Sequence, residues 1–199
     1  MPSIRVAGLF RYPVKSLGGE EIDAIDITRS GPVGDRNWAV IDRAAAEIRS
    51  AKRWPALLAL RARYLEAPVA DAFDAAVSPV ALEAPDGATI RSDDPAAASW
   101  LSGRLDRDAF LAPRAPASRR AHYRLARGFR DPREIAADID LLADETFPDF
   151  GETEDALLAQ LKTHATPPGS YVDAYPLHLL STNSLDALAA ASGLDTSVA

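Results

Sequence analysis

No cysteine occurs anywhere in the 199 residues. Disulfides, thiolate-ligated zinc, iron–sulfur clusters and a thiolate nucleophile are therefore excluded from within them. Histidine is scarce as well. His122, His164 and His178 lie far apart and show no His-Glu-x-x-His or comparable spacing, which argues against a histidine metal centre. No apolar run approaches the roughly 20 residues that cross a bilayer, and the opening Met1-Pro2-Ser3-Ile4-Arg5-Val6-Ala7-Gly8-Leu9-Phe10 lacks the apolar core of a secretory signal. The expectation is a cytoplasmic protein without a membrane segment. Walker-type phosphate loops, the Gly-x-Gly-x-x-Gly fingerprint and the Gly-x-Ser-x-Gly elbow are missing too.

What is present is the composition of a globular chain. A hydrophobic content of 47% beside 26% charged residues is enough to bury a core in one large or two small domains. The net charge of -7 opposes a phosphate backbone and an anionic bilayer, so neither nucleic acid nor a membrane surface is expected as a partner.

Ile4 to Phe10 and Glu21 to Thr28 are rich in β-branched residues and bounded by Gly or Pro, which predicts a strand in each. Between them Tyr12-Pro13-Val14-Lys15-Ser16-Leu17-Gly18-Gly19 reads as a loop, because Pro13 cannot donate to a ladder and the Gly pair permits positive φ. Asn37 to Asp42 reads as a third strand, with a hairpin over Asp42 to Glu47 and Ile48-Arg49-Ser50 returning. Leu57 to Leu65 and Val77 to Leu82 are further short strands before the turn Pro85-Asp86-Gly87. From Asp94, with Pro95 next, the chain turns helical through Leu101. Glu154 to Leu161 has helical spacing, and Thr166-Pro167-Pro168-Gly169 follows as the best boundary. Tyr171 to Leu180 reads as extended chain entering a strand. Ser181-Thr182-Asn183-Ser184 then caps a helix over Leu185 to Ala191 that Ser192-Gly193 ends. Short strands at this spacing with a few helices make the fold α+β, with a barrel or curled sheet in its first part.

Three groups of residues stand out chemically. Tyr12-Pro13-Val14-Lys15-Ser16 places a cation and a hydroxyl side by side after a rigid Pro, a pair able to hold a phosphate, although a loop lysine is ordinarily solvated. Gly34-Asp35-Arg36-Asn37-Trp38 puts a planar fork of donors after a flexible turn, suited to bidentate phosphate contact, with Asp35 placed to orient it; a structural ion pair is the plainer reading. The third group is the arginine-dense stretch from Arg104 to Arg133, with Arg114, Arg119, Arg120, Arg124, Arg127 and Arg130 between. It is either an anion-contact surface or a solvated loop paired with the acidic stretch Asp138 to Glu154. His178, inside an apolar pattern, reads as a core or interface histidine rather than a catalytic base.

The order of these motifs carries a resemblance. Leu9 to Gly19, then Gly34 to Asp42, then the looser Ser50-Ala51-Lys52-Arg53-Trp54-Pro55-Ala56-Leu57 resemble the MOSC N-terminal β-barrel domain. Asp173-Ala174-Tyr175-Pro176-Leu177-His178-Leu179-Leu180-Ser181-Thr182-Asn183-Ser184-Leu185 is similar to the opening of the MOSC domain proper. The resemblance implies a barrel-like domain over residues 1–165, including the variable segment 104–133. The first strand and helix of an incomplete MOSC domain would follow over 170–199.

The family includes amidoxime-reducing components, which reduce N-hydroxylated compounds with a molybdopterin cofactor, and a similar pair of domains ends the molybdenum cofactor sulfurases. The resemblance implies molybdenum cofactor (molybdopterin) as the ligand, its pterin phosphate contacted by Lys15, Ser16 and Arg36, with Asp173 on a second cofactor-lining stretch. Ala174 and Tyr175 stand where the amidoxime reducers have small hydroxyl residues. The chain is expected to stop before the family's Arg-Phe-Arg-Pro-Asn motif and the cysteine that ligates molybdenum. The apolar faces of Leu177, Leu179, Leu180, Leu185 and Leu188 are then expected to lack most of their partner core. The function implied is part of a molybdenum-dependent oxidoreductase served by an electron-transfer partner. A non-catalytic anion- or partner-binding barrel domain and the C-terminal region of a cofactor sulfurase are the alternatives.

Overall fold

The computed structural model describes residues 5–126, 141–142, 144–146, 149, 151, 154–173 and 175–193. Strands β1 (Phe10–Arg11), β2 (Glu20–Glu21), β3 (Ile27–Thr28) and β4 (Gly31–Pro32) form two antiparallel pairs, β1 with β2 and β3 with β4. Strand β5 (Trp38–Asp42) turns back into β6 (Glu47–Ile48), and β7 (Arg61–Tyr64), β8 (Val80–Glu83) and β9 (Thr89–Arg91) form an antiparallel meander. Helix α1 (Ala97–Leu105) leads into β10 (Ala109–Pro113), which pairs with β5 to complete the sheet order β10-β5-β6. Helices α2 (Asp155–Leu161) and α3 (Thr182–Ser192) follow. The architecture is α+β and barrel-like, built from small sheets that do not join into one closed ladder among the described residues.

The core is organised by β5. Trp38 and Val40 face a cluster with Leu57, Tyr64, Leu82 and Leu101, while Ala39 and Ile41 face another with Ile48, Tyr123 and Tyr171. Successive side chains of a strand point to opposite faces, so a strand buried on both sides must be continuously apolar, as Trp-Ala-Val-Ile is. In β7 the same alternation buries Ala62 and Tyr64 and leaves Arg61 and Arg63 outside. Helix α1 packs through Ala97, Leu101 and Leu105, spaced four apart on one face.

Several expectations from the sequence change. The Ile4 to Phe10 strand shrinks to Phe10–Arg11, and Glu21 to Thr28 breaks into β2 and β3, because each finds a short antiparallel partner rather than a long one. Pro55 opens a 3₁₀ turn over Pro55–Ala59, so the predicted strand from Leu57 starts only at Arg61. Val77 closes another 3₁₀ turn, Asp74–Ala76, and the strand expected there begins at Val80. The described residues of Tyr171 to Leu180 enter no strand; His178 is exposed rather than buried, as are Leu177, Leu179, Leu180 and Leu188. The last helix matches its expected cap and end. Ser181 accepts a hydrogen bond from Ser184 N, and Gly193 ends α3 in the left-handed region at φ 68°.

Candidate functional site

The segment expected to be a surface loop is instead clamped between two sheets. Lys15 N donates to Trp38 O (2.9 Å), Trp38 N to Pro13 O (3.0 Å) and Arg36 N to Tyr12 O (2.7 Å), so Tyr12–Lys15 runs beside Arg36–Trp38. Three residues further on, Gly18 N donates to Leu60 O (2.8 Å) and Ala62 N to Gly18 O (2.9 Å), tying the same segment to β7. Pro13, with no N–H, loses nothing at a position where only its carbonyl is needed. The consequence is burial: Pro13, Val14 and Leu17 enter the core and take Lys15 with them.

The turn before Arg36 depends on Gly34, at φ +84°, where a Cβ would stand 2.6 Å from Pro68 Cγ. The Tyr64 hydroxyl donates to Gly34 O at 2.8 Å, and burial holds that phenol well above its ordinary range. Asp35 accepts from Tyr12 N at 2.9 Å and pairs with Arg36 Nη1 at 2.9 Å. Burial raises the Asp35 carboxyl, and the neighbouring Arg36 charge and the Tyr12 N–H oppose that rise. Asp35 thus orients Arg36, as its place in the sequence suggests, while Arg36 itself stays partly open at 27% exposure.

Lys15 is the unexpected member. Its side chain is only 4% exposed, and its ammonium donates to Asp173 Oδ1 at 2.6 Å and to Tyr171 O at 3.3 Å. Burial lowers its pKa below the ordinary lysine value, the Asp173 carboxylate pulls it back up, and the charges of Arg36 and Lys52 lower it again. Lys52, like Arg36, therefore bears on Lys15 through its charge. It sits in the Ser50 to Leu57 motif, but an exposed turn lysine carries no local mark of function in the sequence.

Asp173 reaches Lys15 because the chain before it is anchored. Tyr171 is fully buried, its hydroxyl donates to Pro113 O at 3.0 Å, and His122 Nε2 lies 2.5 Å from the same hydroxyl. Burial, aided by the nearby Arg119 charge, lowers the His122 pKa, and burial pushes the Tyr123 phenol up to about 12. Val172 N donates to the Ser170 hydroxyl at 3.0 Å. Beyond the site, Pro176 lies over Gly31, where a Cβ would meet Pro176 Cβ at 2.5 Å.

Of the residues singled out from the sequence, Lys15, Arg36 and Asp173 are brought into one neighbourhood. Ser16 follows Lys15 directly, at φ 66°, and its hydroxyl makes no hydrogen bond among the described residues. Ser16 and Arg36, at φ 49°, both occupy the left-handed region that non-glycine residues rarely adopt. The arginine-dense stretch is a different matter. Arg104 pairs with Asp86 and Arg119 with Asp74, while Arg114 is buried, donating to Ala72 O and stacking over Phe73. Those acids are not the ones expected from the sequence, and Arg127, Arg130 and Arg133 lie outside the described residues. A concavity of about 180 Å³ on the β7–β9 sheet is lined by Glu20, Arg61, Arg63 and Glu83, a set of mixed sign that does not include Lys15.

No helix among the described residues is long and apolar enough to cross a membrane. No curated protein matches the chain. Residues 3–108, which hold the Lys15 segment, the Arg36 turn and the whole β7–β9 meander, match the family described as the MOSC N-terminal beta barrel domain. That match spans more than half of the chain, and the chain belongs to the MOSC N-terminal beta barrel domain family.

Proposed function

We propose that the chain forms part of the cofactor site of a MOSC-type molybdenum oxidoreductase, with Lys15, Ser16 and Arg36 taking the phosphate of the pterin cofactor. The observation that carries this reading is the alignment of Tyr12–Lys15 with Arg36–Trp38, which runs the segment of a buried ammonium alongside that of an oriented, partly open guanidinium whose charge bears on it. The donor set fits a phosphate. An ammonium gives a point charge, a guanidinium gives a planar fork, and an unbonded hydroxyl gives one more donor. Low-dielectric surroundings strengthen each of these contacts relative to water. The left-handed backbone at Ser16 and Arg36 supports the same reading, since strained φ collects at ligand-binding positions.

The metal end of the cofactor finds no such set. There is no cysteine in the sequence, and among the described residues no three His, Asp or Glu side chains gather to hold a metal. When bound, the cofactor supplies two-electron redox chemistry, and reduction of N-hydroxylated compounds with an electron-transfer partner is the activity proposed for the site. The residues of this chain bind and orient the phosphate, exclude water from around Lys15 and keep its ammonium paired. Asp173, as the carboxylate on that ammonium, belongs to the site through Lys15.

The test is retention of pterin. The full chain is incubated anaerobically with a molybdopterin-containing extract, repurified, and assayed for the fluorescent oxidised pterin and for molybdenum. Pterin is expected on the wild type and absent from Lys15→Met and Arg36→Ala at melting temperatures that show each variant folded. Equal pterin on both variants and the wild type would sink the assignment.

A further inference from the structure

Asp173 is held in an unusual way for a residue that pairs with a buried lysine. Its side chain is 76% exposed, and its one partner among the described residues is the Lys15 ammonium. The backbone just before it is fixed independently. Tyr171 is buried with its hydroxyl on Pro113 O, Val172 is buried with its N–H on the Ser170 hydroxyl, and Tyr171 O itself accepts from Lys15. The Asp173 carboxylate can therefore leave Lys15 by rotating about its own side-chain bonds while the Tyr171–Val172 strap stays seated.

We propose that the Asp173 carboxylate is an internal competitor for the anion site: it occupies the Lys15 ammonium until a phosphate-bearing dianion displaces it into solvent. The proposal rests on the reading of Lys15, Ser16 and Arg36 as a phosphate site. A buried ammonium needs a counter-charge in every state. A carboxylate that departs only as another anion arrives keeps it paired throughout. Two anions on one ammonium repel each other at contact distance, so occupancy by one disfavours the other. It also selects by charge. A monoanionic carboxylate offers Lys15 no more than Asp173 already does, whereas a phosphate dianion brings a second charge for the open Arg36 fork. Once displaced, the Asp173 side chain, already exposed, becomes fully hydrated and leaves no buried orphan.

The experiment titrates the full chain with inorganic phosphate and, separately, with acetate, following heat of binding for wild type, Asp173→Asn, Lys15→Met and the double variant. Melting temperatures check that each is folded. Asp173→Asn is expected to bind phosphate about tenfold more tightly than wild type, the effect of removing one contact-distance anion. It should also acquire acetate binding that the wild type lacks, and Lys15→Met should abolish both gains. If the wild type binds phosphate through Lys15 but Asp173→Asn binds it no more tightly, the competitor is overturned and the phosphate site stands. Phosphate binding that survives Lys15→Met, or that no form shows, overturns the phosphate site and the competitor together.

Discussion

The Nζ of Lys15 and the Oδ1 of Asp173 are 2.6 Å apart although 158 positions separate them along the chain. The pair joins the most buried cation of the proposed site to a carboxylate on its open side. Such a pair contributes little to stability, because removing a charge from water offsets most of what the contact contributes.

Lys15→Met should accordingly leave the protein as stable as wild type or more stable by about 1–2 kcal/mol, since Asp173 remains hydrated when its partner is lost. The effect has a definite pH dependence. Burial holds the folded Lys15 below 10.5, the value it keeps in the unfolded chain, despite the opposing pull of Asp173. Below its folded pKa the lysine must be carried as a buried charge, and that penalty is relieved as pH rises from the folded pKa towards 10.5. Urea midpoints of the two proteins should converge through the alkaline range. A gap that widens with pH would contradict the assignment.

Ser16→Gly separates strain from function. Glycine adopts φ 66° without the roughly 1 kcal/mol penalty of a left-handed residue, so the melting temperature should hold or rise. Phosphate affinity should nevertheless fall, by about tenfold if the hydroxyl contributes an ordinary charge-assisted hydrogen bond. Calorimetry beside a thermal melt reads both, and unchanged affinity would remove Ser16 from the site.

Gly34→Ala should be costly. The added methyl meets Pro68 Cγ at 2.6 Å and Tyr64 Cε2 at 2.9 Å on a backbone at φ +84°, so strain and overpacking act together. A loss of about 2–4 kcal/mol is expected, with Arg36 displaced and anion affinity lowered alongside. Chemical denaturation gives the first number, and a loss under about 0.5 kcal/mol would mean the turn relaxes freely.

Asp42 locks the β5–β6 hairpin by accepting from Ala44 N, Ala45 N and the Arg49 guanidinium. Burial raises its carboxyl, but the hydrogen bonds from Arg49 and the two N–H groups outweigh it and leave the pKa below 3.8. The stabilisation is thus complete above 3.8 and is lost as pH falls from there through the folded pKa. Asp42→Ala should cost about 1–3 kcal/mol at neutral pH, and its acid-unfolding curve should merge with that of wild type at the lowest pH.

Much of the fold was legible because its signals are local. The apolar run at Trp38 marked a strand, which the structure buries on both faces, and the Asp42 to Glu47 turn marked its hairpin, which the register Ile41 with Ile48 bears out. Ser181 and Gly193 bounded α3 through capping that needs no tertiary partner. The failures concern partners. Glu21 to Thr28 has strand propensity along its length, but β-structure forms only where another strand is opposite, and the neighbours on offer were two residues long. His178 sat in an apolar pattern whose covering partners are not among the described residues, and it lies exposed.

The same division runs through the site. By itself the sequence determined which groups are available, an ammonium, a hydroxyl and a guanidinium beside rigid or flexible turn residues, because side-chain chemistry and turn preference belong to the residue and its neighbours. It also placed Asp35 next to the arginine that it orients. Only the tertiary structure decided that Lys15 is buried rather than solvated, that the Lys52 charge helps lower its pKa, and that Asp173 is its counter-ion. Burial and long-range pairing depend on which segments pack over a residue, and here those segments are β5, β7 and the Tyr171 strap, each remote from Lys15 in the chain.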